Sequence, residues 1–105
     1  MKFKIEVELS VTKEDIECII EMAGYGIGYW ADEAIVKDGG YMVHEEEGDW
    51  YELNYNDIVK GIELYIKNGN KPYNILDGFE LDSGEVDSEV ADMIIQYACF
   101  GTIEY

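Results

Sequence analysis

An α+β fold, one domain over residues 1–105 with a mainly antiparallel sheet and three helices, is predicted by three features of the sequence. In Phe3-Lys4-Ile5-Glu6-Val7-Glu8-Leu9, apolar and charged residues alternate with the period of a strand that has one face on a core. Three later stretches instead repeat apolar residues at helical spacing, each behind a capping residue. Between the first two of these lie three short β-rich runs, separated by glycine and acidic residues, which suits hairpins rather than long crossovers.

The first strand covers Phe3, Ile5, Val7 and Leu9. Thr12 then opens a helix: its hydroxyl can accept from a free amide and Asp15 can reach back, while early acids suit the helix dipole. Ile16, Ile19, Ile20 and Ala23 form the inward stripe, Glu14, Glu17 and Glu21 lie outside it, and Gly24 is the expected stop. A glycine-bent segment, Gly26-Ile27-Gly28-Tyr29-Trp30, leads into a second strand at Ala34-Ile35-Val36-Lys37. Strands at Tyr41-Met42-Val43-His44 and Trp50-Tyr51-Glu52-Leu53 flank the acidic tip Glu45-Glu46-Glu47-Gly48-Asp49.

Asn54 with Asp57 repeats the cap logic for a second helix, whose inward stripe is Ile58, Ile62, Tyr65 and Ile66 and which ends at Asn68-Gly69. Pro72, Gly78 and Gly84 make the next stretch a loop. Asp87 or Ser88 caps a third helix with Ala91, Ile94, Ile95 and Ala98 inward, closed by Phe100-Gly101. Thr102-Ile103-Glu104-Tyr105 alternates like a short last strand, so the predicted order is β-α-β-β-β-α-α-β.

Charge narrows the partners. Twenty-four Asp and Glu against seven Lys, one His and no Arg give a formal charge of −17 over 105 residues. Such a surface attracts basic proteins and disfavours direct binding of nucleic acid, polyphosphates or anionic lipid. With 48% apolar residues and nine Tyr, the charge belongs to a packed globule rather than a disordered acidic tail. No apolar run approaches the ~20 residues of a spanning helix and the start lacks a secretory apolar region, so a cytoplasmic location is expected. Cys18 and Cys99 fall singly within apolar helical patterns, which predicts buried reduced thiols and neither a disulfide nor a metal site.

Signals of chemistry are weak, and no enzyme is expected. His44 is the sole imidazole and reads as a surface strand residue, with no Ser or Cys beside it in sequence. Gly24-Tyr25-Gly26-Ile27-Gly28 follows a helix rather than opening one and lacks a Lys-Ser or Lys-Thr, so it reads as packing rather than a phosphate loop. The run Asp82-Ser83-Gly84-Glu85-Val86-Asp87-Ser88-Glu89 offers oxygen ligands for calcium but not in the order of an EF-hand, and solvated acids with helix capping are the simpler reading. With so many acids, any two could be chosen as a glycosidase pair, which is no signal. Tyr25, Tyr29, Trp30, Trp50, Tyr51 and Tyr55 lack the interleaved basic residues of a base-stacking surface and are expected mostly in the core or on a sheet face. No cofactor is expected.

Three segments carry a resemblance: Gly26-Ile27-Gly28-Tyr29-Trp30; Tyr51-Glu52-Leu53 running into Lys60-Gly61-Ile62-Glu63-Leu64-Tyr65; and Ala91-Asp92-Met93-Ile94-Ile95-Gln96-Tyr97-Ala98-Cys99-Phe100-Gly101. The chain resembles a family of small acidic proteins encoded by phages and mobile elements of Gram-positive bacteria. That family has no assigned activity, so the resemblance implies genomic context and no site residues. Gly61 also has a packing explanation and Gly101 a helix-ending one.

Phage context and acidity together lead to a DNA mimic, a protein whose carboxylates stand in for duplex phosphates in the groove of a nuclease or other nucleic-acid-binding defence enzyme, as anti-CRISPR and antirestriction proteins do. The candidate partner-binding residues are Glu14, Glu17 and Glu21; Glu45, Glu46, Glu47 and Asp49; and Asp82, Glu85, Asp87 and Glu89. The alternative is a structural or assembly domain of a phage or conjugative module, a homodimer formed through an exposed sheet edge or aromatic patch.

Overall fold

The computed structural model describes residues 11–68, 76–77, 80–81 and 86–105, and the predicted strand at Phe3–Leu9 lies outside them. The fold is α+β. In chain order the described elements are α1 (Lys13–Gly26), β1 (Ala31–Lys37), β2 (Gly40–Glu45), β3 (Trp50–Asn54), α2 (Tyr55–Lys67), β4 (Leu76–Asp77), β5 (Glu80–Leu81) and α3 (Ser88–Phe100). β1, β2 and β3 form an antiparallel meander, with Val36 opposite Tyr41, Ala34 opposite Val43 and Val43 opposite Tyr51. β4 and β5 make a separate two-residue hairpin in a stretch read from sequence as a loop.

Local chemistry sets the helix starts. Thr12 and Asp15 exchange side-chain and backbone hydrogen bonds, as do Asn54 and Asp57, so both capping boxes close. At α3 the Asp87 carboxylate accepts from the Val90 amide at 2.8 Å. Two ends differ from expectation. α1 runs past Gly24 to Gly26, because the open position at Gly24 costs little and the chain closes only when the Ile27 amide donates to Ala23 O. Residues 102–105 are not a strand: the amides of Glu104 and Tyr105 are taken by a side chain, described below, instead of a neighbouring ladder.

α3 is the central helix, with α1 and α2 both packed on it. Two glycines allow that approach. A Cβ at Gly26 would stand 2.2 Å from Ser88 O, and one at Gly61 would stand 2.5 Å from Ile94 O. The core lies between the helices and one face of the sheet, built from Ile16, Ile19 and Ile20 of α1, Ile58, Ile62 and Tyr65 of α2, Ile94 and Ile95 of α3, and Tyr41, Val43 and Leu53 of the sheet. Gly101 ends α3 in the left-handed region at φ 75°, where glycine has no Cβ penalty.

One expectation about side chains is corrected, that Cys18 is buried, and the expectation about the aromatics holds for most of them. Cys18 is exposed, since it sits beside rather than within the Ile16-Ile19-Ile20 stripe, whereas Cys99 is half-buried with its thiol pushed up to about 12 by burial; both are free. Of the six aromatics expected mostly in the core or on a sheet face, Trp30 is buried, Trp50 and Tyr51 are on the sheet and Tyr55 is half-buried, while Tyr25 and Tyr29 are exposed. No described helix is long and apolar enough to cross a membrane.

Candidate functional site

The acidic residues read from the sequence are carried by three different elements. Glu14, Glu17 and Glu21 project from the exposed side of α1, as the apolar stripe requires, and Glu17 accepts the Tyr55 hydroxyl at 3.3 Å. Glu46, Glu47 and Asp49 are exposed at the tip of the β2–β3 hairpin, where Glu47 takes the turn at φ 60°. Asp87 and Glu89 are exposed at the start of α3, and Asp87 is committed to capping it. Asp82 and Glu85 lie outside the described residues.

Glu45 does not belong to the free tip. It is half-buried, accepts the Tyr105 hydroxyl and stands 3.5 Å from that of Tyr51, so it serves the packing of the last residues. The Tyr105 phenol is pushed up to about 12, first by this hydrogen bond. Among the described residues one Lys–carboxylate pair forms, Lys37 with Glu52 at 3.9 Å, exposed at both ends. The one other ion pair among the described residues is that of Asp32 with His44, at 2.6 Å.

A polar cluster that sequence reasoning missed sits where α3 meets the segment before β1, next to the hairpin, whose Glu46 amide donates to Trp30 O at 2.8 Å. Asp92 is buried on α3. Its carboxylate accepts from Trp30 Nε1 at 2.7 Å, Tyr29 Oη at 2.7 Å and Gln96 Nε2 at 2.9 Å. Charge-assisted bonds of this number compensate much of the cost of burying a carboxylate without a cation. Burial and this bond raise the Tyr29 phenol above its ordinary value. Gln96 Oε1 accepts the backbone amides of Glu104 and Tyr105, each at 2.9 Å, and Tyr105 stacks on Trp30 with ring centroids 5.4 Å apart. The Gln-Tyr-Ala-Cys-Phe-Gly segment thus anchors the last residues. The one signal available in sequence was Asp92 and Gln96 at i and i+4, on the same side of a helix as Ala91 and Ile95.

His44 is not a bare surface residue. Its Nδ1 lies 2.6 Å from Asp32 Oδ1, across a bulge that sets Ala31 opposite Glu45 and Glu33 opposite His44, and its ring packs on Trp50 at 5.0 Å. The Asp32 hydrogen bond raises its pKa, with smaller contributions from the Asp32 and Glu33 charges and a backbone hydrogen bond with Gly48. The pair has a base and an orienting carboxylate, but the group against the imidazole is an indole, which is no nucleophile. An open depression of about 270 Å³ beside Lys37, Tyr41, Glu52 and Asn54 likewise gathers no nucleophile with a base. No group of three or more metal-ligating side chains occurs among the described residues. No family model, curated protein or solved structure matches the chain.

Proposed function

We propose that this protein is a non-enzymatic acidic inhibitor of phage or mobile-element origin, acting in the cytoplasm as a DNA mimic. Its target is the basic groove of a nuclease or another nucleic-acid-binding defence enzyme, in the manner of anti-CRISPR and antirestriction proteins. The observation that carries the reading is the balance of surface charge. A chain of net charge −17 keeps the α1 row and the hairpin tip exposed, and spends one described lysine on a carboxylate. Carboxylates held on helix and hairpin can displace phosphates from a basic groove, with counterion release favouring the complex.

The test is recovery of partners by the tagged protein from a Gram-positive host lysate, washed at low and at high salt. A basic nuclease or restriction subunit that is retained at low salt and released at high salt supports the reading. Reversing Glu46, Glu47 and Asp49 to Lys, at exposed positions, should weaken that capture and relieve inhibition of the captured enzyme. Inhibition that survives the reversal would remove the hairpin tip from the interface, and the same reversal at Glu14, Glu17 and Glu21 then tests α1.

A further inference from the structure

Among the described residues β1 is an edge of the three-stranded sheet, and every residue from Asp32 to Lys37 is exposed. Edges are ordinarily blunted by proline, shortness, charged side chains, a bulge or a covering element, and of these β1 has the bulge between Ala31 and Glu33 and the charges of Asp32, Glu33 and Lys37. Here the apolar residues continue along the edge on both faces. Ala34 and Val36, opposite Val43 and Tyr41, lie on the face that carries the core, yet Val36 is 69% exposed. Ile35 lies on the outer face with Glu33 and Lys37 and is 43% exposed.

We propose that this edge pairs with the same edge of a second copy, antiparallel and centred on Ile35, to make one continuous six-stranded sheet. Lys37 and Gly40 close the turn between β1 and β2, so alternation assigns the amides of Lys37, Ile35 and Glu33 to β2 and those of Ala34 and Val36 to the open edge. A twofold axis at Ile35 then sets Ala34 opposite the partner's Val36, Ile35 opposite the partner's Ile35, and Glu33 opposite the partner's Lys37. By symmetry the Glu33–Lys37 pair forms twice. A shift of the axis by one residue either way sets Lys37 opposite Ala31 or Ile35 instead and loses both pairs.

Charge complementarity therefore selects both the occupant and the register. Lys37, already near Glu52, would lie between two carboxylates. Opposing terms are the net charge of −17 on each copy and the approach of Asp32 to the partner's Asp38 at the strand ends. Both are weakened by salt, whose screening length falls to about 10 Å at 0.1 M. A single strand pair also buries less than a stable interface of about 1,200 Å² or more, so the dimer is weak and concentration-dependent.

Sedimentation equilibrium of the full chain, over a range of concentrations at low and high salt, tests this. The expected result is a monomer–dimer equilibrium that strengthens as salt rises, the reverse of capture by a basic partner. Lys37→Glu and Glu33→Lys should each weaken it roughly tenfold or more, since like charges directly opposite are destabilising, and the double swap should restore it. Circular dichroism checks that each variant folds. A monomer at every concentration and salt, or a dimer indifferent to the single swaps, overturns the proposal. Neither result bears on the acidic-inhibitor reading, whose partner is read by salt-sensitive capture.

Discussion

Asp92 and Trp30, 62 positions apart, share a buried 2.7 Å hydrogen bond from the indole N–H to the carboxylate. It joins the central helix to the segment between α1 and β1, and through Gln96 it reaches the last two amides. The carboxylate is the hub: three donors converge on it from three side chains.

Removing that hub should be costly. Asp92→Ala leaves the buried Trp30 N–H and one Gln96 amide proton short of an acceptor, and should destabilise by about 2–4 kcal/mol. Asp92→Asn keeps one acceptor oxygen and should cost less. Urea denaturation followed by Trp fluorescence ranks the two; an alanine variant as stable as the parent would show that the cluster does not hold the fold together.

Gly61 is where α2 touches α3. Alanine there would favour the helix by about 1 kcal/mol on propensity alone. Its Cβ, however, would meet Ile94 O at 2.5 Å and the Ala98 side chain at 3.2 Å, and backbone cannot swing aside as a side chain can. Overpacking of this kind costs typically ~1–3 kcal/mol, so Gly61→Ala should lower the thermal midpoint despite the propensity gain. Gly24→Ala, where a Cβ meets nothing within 4 Å, is the control and should be neutral or stabilising.

His44 should make stability depend on pH. Its folded-state pKa is raised, chiefly by the bond to Asp32, so the protonated imidazole is favoured in the fold. The contribution is fully present below about 6.5, the ordinary histidine value, and is lost as pH rises through the higher folded-state value. Thermal midpoints measured from pH 5 to 9 should fall across that window, and His44→Gln should flatten the fall. A midpoint profile unchanged by the substitution would assign the pH dependence to other groups.

Much of the fold was legible because it rests on local chemistry. Thr12 with Asp15, and Asn54 with Asp57, meet across a single helical turn, and capping needs no distant residue. The Ile stripes of α1 and α2 and the acidic hairpin tip follow from period and turn chemistry, which are properties of neighbours in sequence. Where local pattern misled, a distant partner had intervened. Thr102–Tyr105 alternates like a strand, but Gln96 takes the amides of Glu104 and Tyr105.

The sequence by itself determined the composition of the surface, the helix starts and the order of the three-stranded meander, because charge, caps and tight turns act within a few residues. Only the tertiary structure decided which acids are free. It took Asp92 inside to meet Trp30 and Tyr29, gave Glu45 to Tyr105, and set Asp32 against His44. It also left Val36 bare at the edge of the core face. Each of these depends on donors and apolar surface brought together from separate elements, and a carboxylate's place in water or in a hydrogen-bonded core is settled by that convergence.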